Sequence, residues 1–186
     1  IIADGPETRI VTPWDVHTDH GVGLALMNLG VGMDAHVVEW IENRQDLKRR
    51  AGQLGFAAGA MVAAGAARDR RLEVRSDDDR GVPAHSLIAA LGRPWAWFGA
   101  RPLDLLPDAC HDGILHWIAT DGSVIDTARR VLTGVAGPAE TVGRARRRLR
   151  ISSDAPVPVQ ADGEPLGRSH VISATPGAPI AVVPAD

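Results

Sequence analysis

Glycine and proline punctuate this chain densely, with 20 Gly and 13 Pro among 186 residues, a pattern that argues for many short strands and turns over a helical bundle. Hydrophobic residues make up 45% and charged residues 23%, which suits one globular domain or at most two small ones. Twenty Lys and Arg stand against 23 Asp and Glu, a net charge of −3, so nucleic-acid phosphate is not an expected partner. Cys110 is the only cysteine, which excludes an intramolecular disulfide and a four-cysteine zinc site and makes a reducing compartment the default. The opening Ile1-Ile2-Ala3-Asp4-Gly5-Pro6 has no initiator Met and no basic stretch before an apolar core, so the chain reads as a piece of a longer protein. The longest uncharged stretch, between Arg50 and Arg68, is mostly Ala and Gly with Gln53 inside it and barely reaches spanning length; a transmembrane helix is not expected.

Residues 7–11 read as a short strand ended by Pro13, and residues 22–29 as a buried strand that pairs with it. Asp34 is placed to cap a helix carrying Val37, Val38, Trp40 and Ile41 at helical spacing, and a second helix is expected near residues 53–68. Residues 71–75 alternate charged and apolar, residues 76–81 make a turn, and residues 86–91 resume as a buried run, which predicts a hairpin. A Trp-rich loop follows at residues 93–99, then a strand over 114–120 and a helix opened by Ser123. From about Ala145 onward strands are expected at 147–152, 157–160, 170–174 and 179–183. The predicted fold is mainly antiparallel β with helical insertions (α+β), most simply a β-sandwich with helices at one edge or end.

Several short segments carry side chains with chemical potential. Asp162-Gly163-Glu164 lies between two predicted strands, where Glu164 is either a solvated strand residue or a carboxylate able to take a hydroxyl proton. Asp112-Gly113 precedes a strand, as a capped turn or as a carboxylate joined by turned carbonyls around a hard cation. Cys110, His111 and His116 offer softer ligands, but no matched second cluster completes a zinc site. His17 and His20 flank Asp19 in a polar loop and read as solvent-exposed. Arg146, Arg148 and Arg150 would share one face of a strand, either holding an anionic head group or protecting a solvated edge. Trp95, Trp97 and Phe98 read as a buried anchor or as an apolar wall for a lipid chain.

Four segments in order resemble one family. Asn28-Leu29-Gly30-Val31-Gly32-Met33-Asp34-Ala35 resembles the segment that opens the second domain of diacylglycerol-kinase-like lipid kinases, a family that includes sphingosine kinases. Pro107-Asp108-Ala109 with Asp112-Gly113-Ile114-Leu115, then Val157-Pro158-Val159-Gln160-Ala161-Asp162-Gly163-Glu164-Pro165-Leu166-Gly167, then Pro176-Gly177-Ala178 with the strand after it, resemble three further segments of that family. Together they span about residues 9–184.

The resemblance implies a two-domain, ATP-dependent, Mg2+-requiring kinase of which this chain is the C-terminal β-sandwich domain. Residues 1–6 would be the interdomain connection and 35–70 a helical insertion, and the family's Gly-Gly-Asp-Gly-Thr nucleotide motif is absent here. ATP would sit mainly on the N-terminal nucleotide-binding domain, so the isolated chain is expected to be inactive. By similarity Glu164 is the base for the lipid hydroxyl; Asp34, Trp95, Trp97 and Phe98 are the candidate substrate contacts. Asp112 and the backbone carbonyls of Ile114 and Ala109 would hold the metal. Two departures bear on that metal: the segment from Pro107 to Asp112 is one residue short, and His111 replaces a common acidic residue. Leu91-Gly92 also replaces the family's Asn-Gly.

The implied setting is cytoplasmic and peripheral to the membrane, with a lipid substrate, no nucleic acid, and a homodimer conceivable through an uncovered edge. The competing readings are a non-catalytic lipid-binding or regulatory module and a nucleotide (NAD) kinase-like acceptor domain.

Overall fold

The structure is a computed structural model that describes residues 8–42, 71–98, 101–121 and 140–183. Its spine is a pair of 13-residue strands, β12 (Leu149–Ala161) and β13 (Glu164–Pro176). They are joined by Asp162 and Gly163, both at positive φ (51° and 84°), as a two-residue turn matched to strand twist requires. The β12–β13 register breaks between Ser152 and Val157, where Pro156 has no N–H to give a ladder. This irregularity lets the two halves of β12 take different neighbours. The first half pairs with β5 (Leu72–Arg75) and the second with β4 (Asn28–Gly32).

Around that spine lie β2 (Trp14–Thr18), β3 (Gly21–Ala25), β6 (Gly81–Ala84), β7 (Ser86–Ala90), β10 (Leu115–Thr120) and β11 (Glu140–Ala145). The ten-stranded sheet runs β11-β10-β7-β4-β12-β13-β2-β3, with β5 and β6 branching from β12, and every pairing is antiparallel. The two halves of this sheet share one core. Leu29, Leu87, Leu115 and Trp117 from one half join Trp14, Leu72, Leu149 and Ile151 from the other. Each such side chain contributes about 1.5–3 kcal/mol by leaving water. The core makes close demands on its neighbours: a β-carbon on Gly143 would overlap the indole of Trp117, its cross-strand partner.

A second apolar cluster lies on the opposite face of β7 and β10, where Ile88, Ala90 and Ile118 meet Leu105, Leu106 and Ala109, with Trp95 against them. Helix α1 (Met33–Glu42) follows β4 directly and packs on β12 and β13. The second half of β12 is therefore covered on both faces, which is why Val157 to Ala161 are buried without alternation.

The mainly β expectation with a helical insertion matches this architecture, and several local expectations are corrected by it. Residues 22–29 form parts of two strands, broken at Leu26 and Met27. The strand β1 (Arg9–Val11) pairs with β14 (Ile180–Val182), not with that segment. The hairpin partner of β5 is β6, while residues 86–90 enter the main sheet between β4 and β10. The Trp-rich segment is not wholly loop, because β8 (Ala96–Phe98) pairs with β9 (Arg101–Leu103). Asp34 lies inside the first turn of α1 instead of preceding it as a cap. Arg146 and Arg148 fall in a bend before β12, so they do not share a strand face with Arg150. The helices expected near 53–68 and after Ser123 lie outside the described residues, as does most of the 35–70 insertion.

Candidate functional site

One end of the sheet gathers most of the segments that carry chemistry. The N–H of Asp162 donates to the Asn28 carbonyl at 3.0 Å, Asn28 stands opposite Ala90, Ala90 opposite His116, and His116 opposite Arg144. This cross-strand row takes four inter-strand steps, about 19 Å along the rim at the usual spacing. The Asp112-Gly113-Ile114 loop enters β10 at the same rim, and Glu164 opens β13 there. Sequence-distant residues 28, 112 and 164 thus come to one edge.

The hairpin tip is clamped from two sides. Asp162 accepts hydrogen bonds from the backbone N–H groups of Leu26, Met27 and Asn28 at 2.7, 2.8 and 2.8 Å. Gln160, 3% exposed, donates from Nε2 to Asp34 Oδ2 at 2.8 Å and to Asn28 Oδ1 at 3.1 Å, and its Oε1 accepts from the Gly163 N–H at 2.8 Å. Asn28 Nδ2 leans towards the Trp95 carbonyl at 3.4 Å. A β-carbon on Gly30 would overlap Asp34 Oδ2 and stand 2.6 Å from Gln160 Nε2, so glycine there makes room for the pair.

Burial dominates the electrostatics of Asp34. Desolvation raises its pKa to about 6 against the opposing hydrogen bond from Gln160. The residue keeps partial solvent access, so it is the carboxyl end, lodged over Gly30, that is withdrawn from water. Farther along α1, Glu39 receives Arg168 in a two-pronged ion pair, at 2.6 Å from Nη2 and 3.2 Å from Nε. Arg168 Nη2 also lies 3.5 Å from His36 Nδ1.

Glu164 is exposed and its carboxylate makes no hydrogen bond or ion pair with the described residues. It pairs across the ladder with Ala161, whereas Gln160 pairs with Pro165, so strand alternation sends Glu164 and Gln160 to opposite faces. Asp34 and Glu164 therefore flank the same tip from two sides. Trp95 is half-buried against the second apolar cluster. Trp97 and Phe98 lie in β8, paired with Pro102 and Arg101, and their side chains lie outside the description.

At the other end of the row, Asp112 Oδ1 accepts from the Ile114 N–H at 3.0 Å, closing the turn. Ala109 is buried and its N–H donates to Leu106. The Asp112 carboxylate and the Ile114 and Ala109 carbonyls are oxygen donors, the ligand type Mg2+ takes. Among the described residues no three His, Cys, Asp or Glu side chains form a metal-binding group. His116 is 4% exposed with Nε2 unpartnered among the described residues, and burial, with Arg144 beside it, holds its pKa below the ordinary histidine value.

Solved structures with this architecture exist. A crystal structure of "a putative diacylglycerol kinase from Bacillus anthracis str. Sterne" superposes with a TM-score of 0.59 at 14% identity, covering 90% of this chain and 54% of that one. A second, described as a diacylglycerol kinase from the same organism, gives 0.52 at 12% identity over 91% of this chain and 52% of that one. The fold is that of a diacylglycerol kinase-like domain. The chain spans about half the length of the solved structures it matches. No protein-family model and no curated protein sequence matches it.

Within this diacylglycerol kinase-like fold, sequence reading singled out Glu164, Asp112 and Asp34 but passed over Asp162 as an anchor and Gln160 as a hub. A buried-strand glutamine beside an Asp-Gly turn was the available signal for Gln160. Nothing local marks Asp162 as the acceptor for amides 134–136 residues away. No helix among the described residues is long and apolar enough to cross a membrane.

Proposed function

We propose that this chain is the acceptor-binding half of an ATP-dependent lipid kinase, with ATP held mainly by a nucleotide-binding domain outside it. The observation that carries this reading is the rim itself. In a fold shared with proteins described as diacylglycerol kinases, a free carboxylate at a clamped hairpin tip and an oxygen-donor loop occupy one edge of the sheet.

Glu164 takes the proton of the lipid hydroxyl as that oxygen attacks the γ-phosphorus, and ADP departs as the new P–O bond forms. The clamp formed by Asp162 and Gln160 holds the tip in place, so that little ordering is left for the moment of reaction. Asp34, its carboxyl withdrawn beside Gln160 on the other face of the tip, would meet the lipid head only through the part of the residue that keeps solvent access. Asp112 with the Ile114 and Ala109 carbonyls would hold Mg2+, which supplies charge neutralisation when bound.

The test is transfer of labelled phosphate from ATP to a mixed lipid extract by the full-length parent protein, beside Glu164→Gln. Loss of transfer by about 10²–10⁴-fold with folding intact is expected for a lost general base. Undiminished transfer in the variant would remove Glu164 from the mechanism. Absence of any labelled lipid from a folded, ATP-binding parent would favour a regulatory lipid-binding module or a nucleotide acceptor.

A further inference from the structure

The basic run of the sequence is not absorbed by the site described above, and the structure gives it a definite shape. Arg146, Arg147 and Arg148 make the bend between β11 and β12. Their backbone N–H groups all donate to the carboxylate of Asp77, at 2.7, 3.0 and 2.9 Å. The backbone is thus held from the β5–β6 turn, while the three side chains are exposed. Their guanidinium groups make no hydrogen bond or ion pair with the described residues, although Arg147 feels the charge of Asp77. Arg150, also exposed, follows in β12.

The placement of this bend is what gives it meaning. Arg144 ends the cross-strand row that begins at Asp162, so the strand that feeds the arginine bend reaches the rim of the Glu164 hairpin about four strand spacings from it, and the bend then leads into the far end of β12. Val142, on the strand that feeds the bend, is 55% exposed.

We propose that residues 146–148 form an electrostatic docking site for an anionic lipid surface. Adjacent exposed guanidinium groups on a fixed backbone suit a plane of phosphate and carboxylate head groups, and each basic residue near such a surface strengthens binding about fivefold. Docking there would bring the rim that carries Glu164 to the bilayer, where the acceptor of the proposed reaction resides. The inference therefore deepens the lipid-kinase reading and rests on it for its purpose, but not for its measurement. A nucleic-acid partner is disfavoured by the net charge of −3.

The test is sedimentation of the chain with vesicles, without ATP, comparing phosphatidylcholine alone with phosphatidylcholine containing phosphatidylserine. The chain should bind the anionic vesicles selectively and release as salt is raised. The triple variant Arg146→Gln, Arg147→Gln, Arg148→Gln should lose affinity by tens-fold or more, the charge of Asp77 tempering the full product of three arginines. Because only side chains change, the three N–H bonds to Asp77 persist and the variant should stay folded, losing only what the Arg147 charge adds beside Asp77. The triple lysine variant, with its charge kept, should retain most of the binding. Indifference to phosphatidylserine, or a glutamine variant that binds like the original, would overturn the proposal. Arginine-dependent capture of single-stranded RNA without vesicle binding would overturn it in favour of nucleic acid. Selective vesicle binding by the chain, beside a folded, ATP-binding full-length parent that labels no lipid, would support docking while removing the kinase reading.

Discussion

Gln160 donates to Asp34 across 126 residues of sequence, and this 2.8 Å contact joins the first turn of α1 to the strand that leads into the Glu164 hairpin. The carboxyl group of Asp34 pays for its burial with a pKa near 6, against 3.8 when unburied. A carboxyl whose pKa is raised by folding adds stability that is complete below the unfolded value and is lost as pH rises through the folded one.

Asp34→Asn should therefore be more stable than the native chain above pH 6, by at most about 3 kcal/mol, and the advantage should vanish near pH 4. Urea unfolding of both proteins from pH 4 to 8 measures the difference directly. A constant difference across that range would show that Asp34 does not titrate in its buried setting.

Asp162→Ala should destabilise the fold by roughly 2–4 kcal/mol, because three N–H groups lose a charged acceptor and alanine tolerates φ of 51° poorly. Asp162→Asn should cost less, since asparagine accepts that backbone shape and keeps one acceptor oxygen. Amide exchange at Leu26, Met27 and Asn28 reports the clamp, and should accelerate in both variants, more in the first.

Asp77 works in the opposite pH direction to Asp34. Burial pushes its carboxyl up, but the backbone N–H bonds from Arg146, Arg148 and Arg147 and the Arg147 charge outweigh that and leave it below the usual value. Its contribution to stability is present above the unfolded pKa of 3.8 and is lost as pH falls through the lower folded value. Asp77→Asn should thus narrow the stability gap with the native chain below about pH 4 and widen it at neutral pH, as acid titration of unfolding would show.

Gly30→Ala should cost on the order of 1–3 kcal/mol as overpacking, and should displace Asp34 from Gln160. Gly143→Ala, which overlaps Trp117, should cost a similar amount while leaving the Asp34 contact untouched. If lipid contact runs through Asp34, the first substitution should weaken vesicle-presented substrate binding and the second should not. Equal effects would assign Asp34 a packing role alone.

Local chemistry alone, through apolar runs, alternation and turn residues, made most of the strands, the mainly β class and the Asp162-Gly163 turn readable in the sequence. The same holds for the residue types at Glu164 and Asp112, since a turn motif and its neighbours are set within a few positions. Strand partners were another matter: β1 pairs with β14 and residues 86–90 with two distant strands, because registry depends on which apolar faces meet, not on any one segment. Tertiary structure likewise decided that Asp77 and Asp162 serve as acceptors for amides far along the chain, and that Arg144, on the strand feeding the arginine bend, ends the row that begins at the Glu164 hairpin. Those relations require the chain to be closed on itself, and a carboxylate carries no mark in sequence of the N–H groups that folding will bring to it.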